Sequence, residues 1–164
     1  MNTTEIKEQF PSAIVSEVLF LGETTLEVKK EHLNAVLTFL KNSFEVLIDL
    51  TAVDYLTPVK RTKIVYWLHN PTNFNRLRIV VFIERNEPIS SVTHLWKGAE
   101  WYERELFDLF GVHFEGHPDL KRILLPDDWE GHPLQRDHAL VEEPVEFLHG
   151  VKPKVPSKII CGKH

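Results

Sequence analysis

Apolar residues along this chain recur with two periods. Leu33, Val36, Leu37 and Leu40 fall at i, i+3, i+4 and i+7, one stripe of a helix over about 31–42. Elsewhere the period is two. Val46, Ile48, Leu50 and Ala52 share one face of a strand over 45–53, with Glu45, Asp49 and Thr51 on the other. Ile64, Tyr66 and Leu68 form one face of the next strand. Leu77, Ile79, Val81 and Ile83 form one face of a third, with Arg76, Arg78 and Glu84 opposite. Residues 12–20 and 24–28 read as a hairpin turning at Leu21-Gly22-Glu23. A short helix over 3–10, capped by Thr3 or Thr4, precedes them. The connections at 58–61 and 70–75 are short and rich in turn formers, which suits antiparallel neighbours. Ser90 or Ser91 caps a brief turn ending near Trp96. A second main helix covers about 98–110 and stops at Gly111, a natural C′ residue.

Beyond Gly111 both periods vanish. The segment still carries Phe114, Leu120, Ile123, Leu124, Leu125, Trp129 and Leu134 among prolines, glycines, histidines and paired acids. Six of the ten prolines and six of the nine histidines follow Phe110. Such a stretch is too apolar for a solvated tail and too irregular to build its own core. It reads as an arm that orders itself against another surface. The expected fold class is α+β: an antiparallel sheet with helices packed on it over 1–111, then an extended partner-binding arm over 112–164.

Composition narrows the function classes. Hydrophobic content of 43% and charged content of 26% suit a soluble globular chain with a real core. The net charge of -5, with basic residues only in pairs such as Lys29-Lys30 and Lys121-Arg122, argues against a nucleic-acid partner. The longest apolar run, residues 79–83, is far short of the roughly 20 residues a membrane helix needs. The first residues lack the apolar core of a signal peptide. The reading is an intracellular protein that meets a membrane only through partners. The single cysteine, Cys161, can neither close an internal disulfide nor hold an iron–sulfur cluster, which needs about four thiolates.

Candidate chemistry is sparse. His113, His117, Asp127, Asp128, His132 and His138 are ligand types, but their spacing matches no familiar metal site and all lie in irregular chain. There is no Gly-x-Ser-x-Gly elbow, no Gly-x-Gly-x-x-Gly after a strand and no phosphate loop. Gly116 and Gly131, each before His-Pro, read as permissive turns. Arg104 stands out. Glu100 and Asp108 lie four residues before and after it, so the three share a helix face. On a solvated helix this would be an ion-pair ladder of a few tenths of a kcal/mol per pair. Trp101, Tyr102, Leu106, Phe107, Leu109 and Phe110 leave little of the helix for water, which points instead to burial between a body and a partner.

The run Glu103-Arg104-Glu105, Asp108, Leu109-Phe110, His117, Lys121 and Ile123-Leu124 resembles the signature of the C subunit of bacterial NADH:quinone oxidoreductase, the thirty-kilodalton subunit of respiratory complex I. Trp101 before it and Pro-Asp-Asp-Trp-x-Gly-His-Pro-Leu over 126–134 also look like that family. The strong match covers about 40 residues without a gap; length and element order agree over the rest. Lys121 stands where arginine is frequent, Gln135-Arg136 replaces the frequent Arg-Lys, and His138-Ala139 replaces an aromatic-proline pair. The resemblance implies a non-catalytic peripheral-arm subunit with no redox centre of its own. FMN and iron–sulfur clusters would belong to neighbouring subunits. The chain would pack on the larger quinone-site subunit (the D subunit of that complex), near iron–sulfur subunits, at the cytoplasmic face of the inner membrane. Candidate partner-binding residues are Trp101, Glu103, Arg104, Asp108, Phe110, His117, Arg122, Trp129, His132 and Arg136. Two competing readings are the equivalent subunit of a membrane-bound hydrogenase or ferredoxin-driven complex, and a stand-alone metal-dependent hydrolase using the His/Asp-rich arm.

Overall fold

A computed structural model describes residues 3–56 and 61–138. Helix α1 (Thr3–Gln9) leads into the hairpin β1 (Ile14–Phe20) and β2 (Glu23–Val28). A single 3₁₀ turn at Lys30–His32 runs into α2 (Leu33–Lys41), whose predicted stripe Leu33, Val36, Leu37 and Leu40 is fully buried. Three strands follow: β3 (Val46–Asp54), β4 (Thr62–His69) and β5 (Arg76–Ile83). Then come the short β6 (Ile89–Ser90), α3 (Ala99–Phe110) and β7 (Phe114–Glu115), which pairs with β6 in parallel.

The main sheet has the order β1-β2-β5-β4-β3. Pairs β1–β2, β3–β4 and β4–β5 are antiparallel, as their turns predict. The sheet as a whole is nevertheless mixed, because β2 and β5 run parallel from Thr24↔Leu77 to Glu27↔Val80. Turn chemistry reports only on strands that follow one another. α2 carries the chain from β2 to the far edge, and β5 returns to the middle to close against β2.

One sheet face holds the core. Ile64, Tyr66, Leu68, Leu77, Ile79, Val81 and Ile83 all lie there as predicted, with Leu26, Val28, the α2 stripe and Leu106 of α3. β3 departs from the expected alternation. Leu47 pairs with Leu68 but Asp49 pairs with Trp67, so Ile48 is an extra residue bulged out of the ladder. The bulge shifts the phase: Val46 and Ile48 are exposed, while Leu47, Leu50 and Ala52 are buried. A strict period of two cannot anticipate that slip. The Ile48 carbonyl is taken by the Tyr102 hydroxyl at 2.9 Å, which fastens α3 to this edge.

Candidate functional site

α3 presents three kinds of side chain. Ala99, Glu103 and Leu106 face the core, Asp108 faces the following segment, and Trp101 faces solvent. Gly111 ends the helix in the left-handed region (φ 74°), the C′ role the sequence predicts. A Cβ there would sit 2.7 Å from His132 Cδ2, so glycine also permits the close approach of the arm.

Asp108 is the hub. It is fully buried. Its Oδ2 accepts the backbone N–H groups of Ile123, Leu124 and Leu125 at 3.0, 2.7 and 2.9 Å. Its Oδ1 accepts from the Arg122 guanidinium at 2.7 Å. Burial alone would raise this carboxyl. The N–H groups of Leu125, Ile123 and Leu124, with Arg122, outweigh it and hold the group down at about 2. Arg122 reaches onward to the carbonyls of Trp129 (2.9 Å) and Gly131 (3.0 Å), pinning one turn of the arm to another.

The arm also caps the helix. An α-helix leaves its last four carbonyls without intrahelical donors. Here the Asp108 carbonyl accepts from His132 Nδ1 at 2.8 Å, Leu109 from the Leu134 N–H at 3.0 Å, and Phe110 from Gln135 Nε2 at 2.7 Å. Phe107 accepts from Gly111 N–H at 3.0 Å. His132 also meets the Phe107 ring edge-on, 6.1 Å between centroids. Nearer the helix start, His117 Nδ1 accepts the Asp119 N–H, which leaves Nε2 as donor to the Glu100 carbonyl at 3.1 Å.

Arg104 behaves differently from the sequence expectation. It does not join Glu100 and Asp108 in a ladder. Asp108 is occupied by Arg122 and backbone donors, and Arg104 donates to the carbonyls of Lys121 (3.1 Å) and Arg122 (2.9 Å). Its guanidinium lies 5.4 Å from the Trp101 ring centroid. The i, i+4 spacing is real, but a planar guanidinium finds fixed carbonyls in the crossing arm better partners than a solvated carboxylate.

Glu103 is also fully buried, with one oxygen accepting the Val92 N–H at 2.7 Å and the Ser91 hydroxyl as a further partner. Burial pushes its carboxyl up to about 7 against the pull of those bonds. Its other oxygen has no hydrogen-bond partner among the described residues, nor has the buried Tyr66 hydroxyl, which burial and the Glu103 charge push upward.

A second fastening was missed in the sequence. Asp54, buried at the end of β3, accepts both Arg61 Nε (2.9 Å) and Arg61 NH2 (3.1 Å), and the Arg136 N–H at 2.7 Å. Asp137 binds Arg61 at 2.6 Å and also Arg85, whose other nitrogen reaches Gln135 Oε1 at 2.9 Å. A signal existed. Asp54 is in phase with the core-facing Leu50 and Ala52, and an acid at such a position needs a cation.

The candidate residues thus divide. Asp108, Arg122, Trp129, His132 and Phe110 converge on the end of α3; Arg104, Trp101 and His117 lie along its outer side; Glu103 faces the core; and Arg136 donates its backbone N–H to Asp54 while its side chain is exposed. Gly116 and Gly131 both have φ of 81°, the turns predicted. No group of three or more His, Cys, Asp or Glu is placed to hold a metal ion among the described residues. His117 and His132 bond backbone carbonyls instead. Residues 139–164, including Cys161, lie outside the described residues.

A buried acid thus fastens an irregular arm, while Trp101 (58% exposed) and Leu124 (60%) stay outside. The family model for the respiratory-chain NADH dehydrogenase, 30 Kd subunit, matches residues 26–144, and the chain belongs to that family. It is 42% identical over 139 residues to the C subunit of NADH-quinone oxidoreductase from Citrifermentans bemidjiense, covering 83% of this chain and 86% of that one. It is 41% identical over 147 residues to the C subunit of the same enzyme from Roseiflexus sp. (strain RS-1), covering 87% and 84%. Among solved structures, a chain of the membrane-bound sulfane sulfur reductase, an archaeal respiratory membrane complex, superposes with a TM-score of 0.75 at 26% identity, covering 85% of this chain and 84% of that one. No helix among the described residues is long and apolar enough to cross a membrane.

Proposed function

We propose that this chain is the thirty-kilodalton peripheral-arm subunit of a proton-translocating NADH:quinone oxidoreductase. It scaffolds the electron path from NADH through FMN and iron–sulfur clusters in other subunits to quinone, without a catalytic or redox centre of its own. Its main partner is the quinone-site subunit, with iron–sulfur subunits alongside, and it meets the cytoplasmic face of the inner membrane through them. The observation that carries this reading is the Asp108 hub. It holds residues 122–125 on α3 and leaves Leu124 exposed, while Trp101 and Arg104 lie along the same helix, making a partly apolar surface. Rigid aromatic and arginine side chains on a pre-ordered surface are what strong protein–protein contacts use. The sequence relatives favour the NADH-linked complex over its hydrogenase-like and ferredoxin-driven cousins.

The test is paired. Trp101→Glu and Leu124→Glu leave the hub intact, so the full chain should melt within a few degrees of the parent. The amount of quinone-site subunit recovered with it from detergent-solubilised membranes should fall at least fivefold. Normal recovery with both variants would overturn this assignment of the surface. Flavin, iron and zinc analysis of the purified chain should find none in stoichiometric amount.

A further inference from the structure

The two most exposed large apolar side chains among the described residues line one cleft, each in a backbone conformation that disfavours it. Phe20 pairs with Glu23, so Leu21-Gly22 is a two-residue hairpin turn with positive φ at both positions (50° and 79°). Such a turn ordinarily takes Asn-Gly. In the β4–β5 connection, Phe74 has φ 58°, where Asn or Gly is again the favoured residue. Leu21 is 88% exposed and Phe74 78%. Because β2 and β5 run parallel and both begin at this end of the sheet, with Thr24 opposite Leu77, the two turns are neighbours.

Between them lies a cleft of about 520 Å³, walled by Leu21 and Phe74 and reaching Ile6, Phe44 and Leu77. Among the described residues, the one cation on its wall is incompletely paired. The Glu23 carboxylate is held by Arg78 at 3.0 Å and is 3.9 Å from Arg76, so one acid serves two guanidiniums, and Arg76 remains half exposed on the cleft wall. Bulky side chains in left-handed backbone gather where a ligand or partner uses them. Phe74 meets the His69 ring at 6.4 Å between centroids, yet it and Leu21 stay largely in solvent.

We infer that this cleft, between the β1–β2 and β4–β5 turns, is a second docking site, taking a segment of another subunit that carries an apolar anchor next to an aspartate or glutamate. Leu21 and Phe74 grip the anchor and Arg76 pairs with the acid, its loosely held guanidinium choosing an acidic over a basic segment. The site lies at the end of the sheet where β2 and β5 begin, apart from the α3 surface. The inference rests on the chain being a subunit of an assembly, but not on which face meets the quinone-site subunit.

The test places a photo-crosslinking benzoylphenylalanine at position 74 of the full chain in the assembled complex, and at position 101 in a parallel preparation. The expected result is one adduct from position 74, mapping by mass spectrometry to a peptide of another subunit with an aliphatic or aromatic residue beside Asp or Glu. An adduct with a second copy of this chain, with phospholipid or with a basic segment would overturn the inference. So would no adduct at 74 while position 101 crosslinks. Silence at 101 with an adduct at 74 would instead remove the α3 surface, and silence at both would remove the two together. A second arm uses Leu21→Asn with Phe74→Asn, which suits the left-handed turns. The full chain should melt at or above the parent, and recovery of the crosslinked neighbour should drop at least fivefold. A lower melting temperature, or unchanged recovery, would assign these side chains to the fold and refute the site.

Discussion

Asp108 shows how one residue can decide where a segment lies. Removing its charge leaves three N–H groups and a guanidinium aimed at an atom that no longer balances them. For Asp108→Asn we expect a loss of about 3–5 kcal/mol, the usual result of breaking a buried charge pair. The fall should be seen in thermal melting and in hydrogen exchange over residues 122–135. The pH dependence has a definite sign. The folded carboxyl is held at about 2, below its ordinary 3.8, so its contribution is complete above that ordinary value and is lost as pH falls towards 2. Protease sensitivity of the arm should therefore appear between about pH 4 and 2. Glu103 has the opposite sign. Its folded value is raised to about 7 from 4.5, so its stabilising contribution is complete below 4.5 and lost as pH rises through 7. Parent stability should decline by up to about 3 kcal/mol between pH 4.5 and 8. Glu103→Gln should flatten that decline in melts at matched ionic strength; an equally steep decline would assign it to other groups.

Among the elements, α3 and the arm depend on each other through the helix end. His132→Ala removes the donor to the Asp108 carbonyl and the ring contact with Phe107. It should cost about 1 kcal/mol. Gly111→Ala should cost more, because its backbone is left-handed and its Cβ would meet the His132 ring at 2.7 Å. Measured alone and together by denaturant unfolding, the two should be non-additive, since removing the ring also removes the clash. Much of α3 was legible in sequence: its span, its stop at Gly111 and the importance of its charges. The partners of those charges were not. Spacing along one helix suggests that Arg104 pairs with Asp108, and only the path of residues 121–135 shows that each has partners in the arm. In β3 the alternating pattern was visible, but the bulge at Ile48 depends on pairing with β4 and moved Val46 and Ile48 to the surface.

At the scale of the whole molecule, Arg104 separates fold from assembly. It bonds two carbonyls near the surface rather than a buried carboxylate, so Arg104→Ala should change the stability of the isolated chain by only about 1 kcal/mol. Those carbonyls belong to the turn that leads into the exposed Leu124. Recovery of the quinone-site subunit from membranes should fall more than the melting temperature suggests. A large drop in melting temperature with normal recovery would assign Arg104 to the fold alone.

The sequence alone determined the three helices, the five strands of the main sheet, most of the core face and the family signature, because periodicity, turn chemistry and residue order are local properties of the chain; the short β6 and β7 pair left no such sign. Asp54 at the end of a core-facing row was legible in the same way, though only with the strand extended. Tertiary structure decided the parallel pairing of β2 with β5 and the surface on which residues 112–138 settle. It also set the left-handed turns of Leu21 and Phe74 side by side. These depend on which distant segments meet. A carboxylate that gathers three N–H groups from residues 15 to 17 positions away leaves no period in the sequence. Its geometry exists only when the chain has folded back on itself.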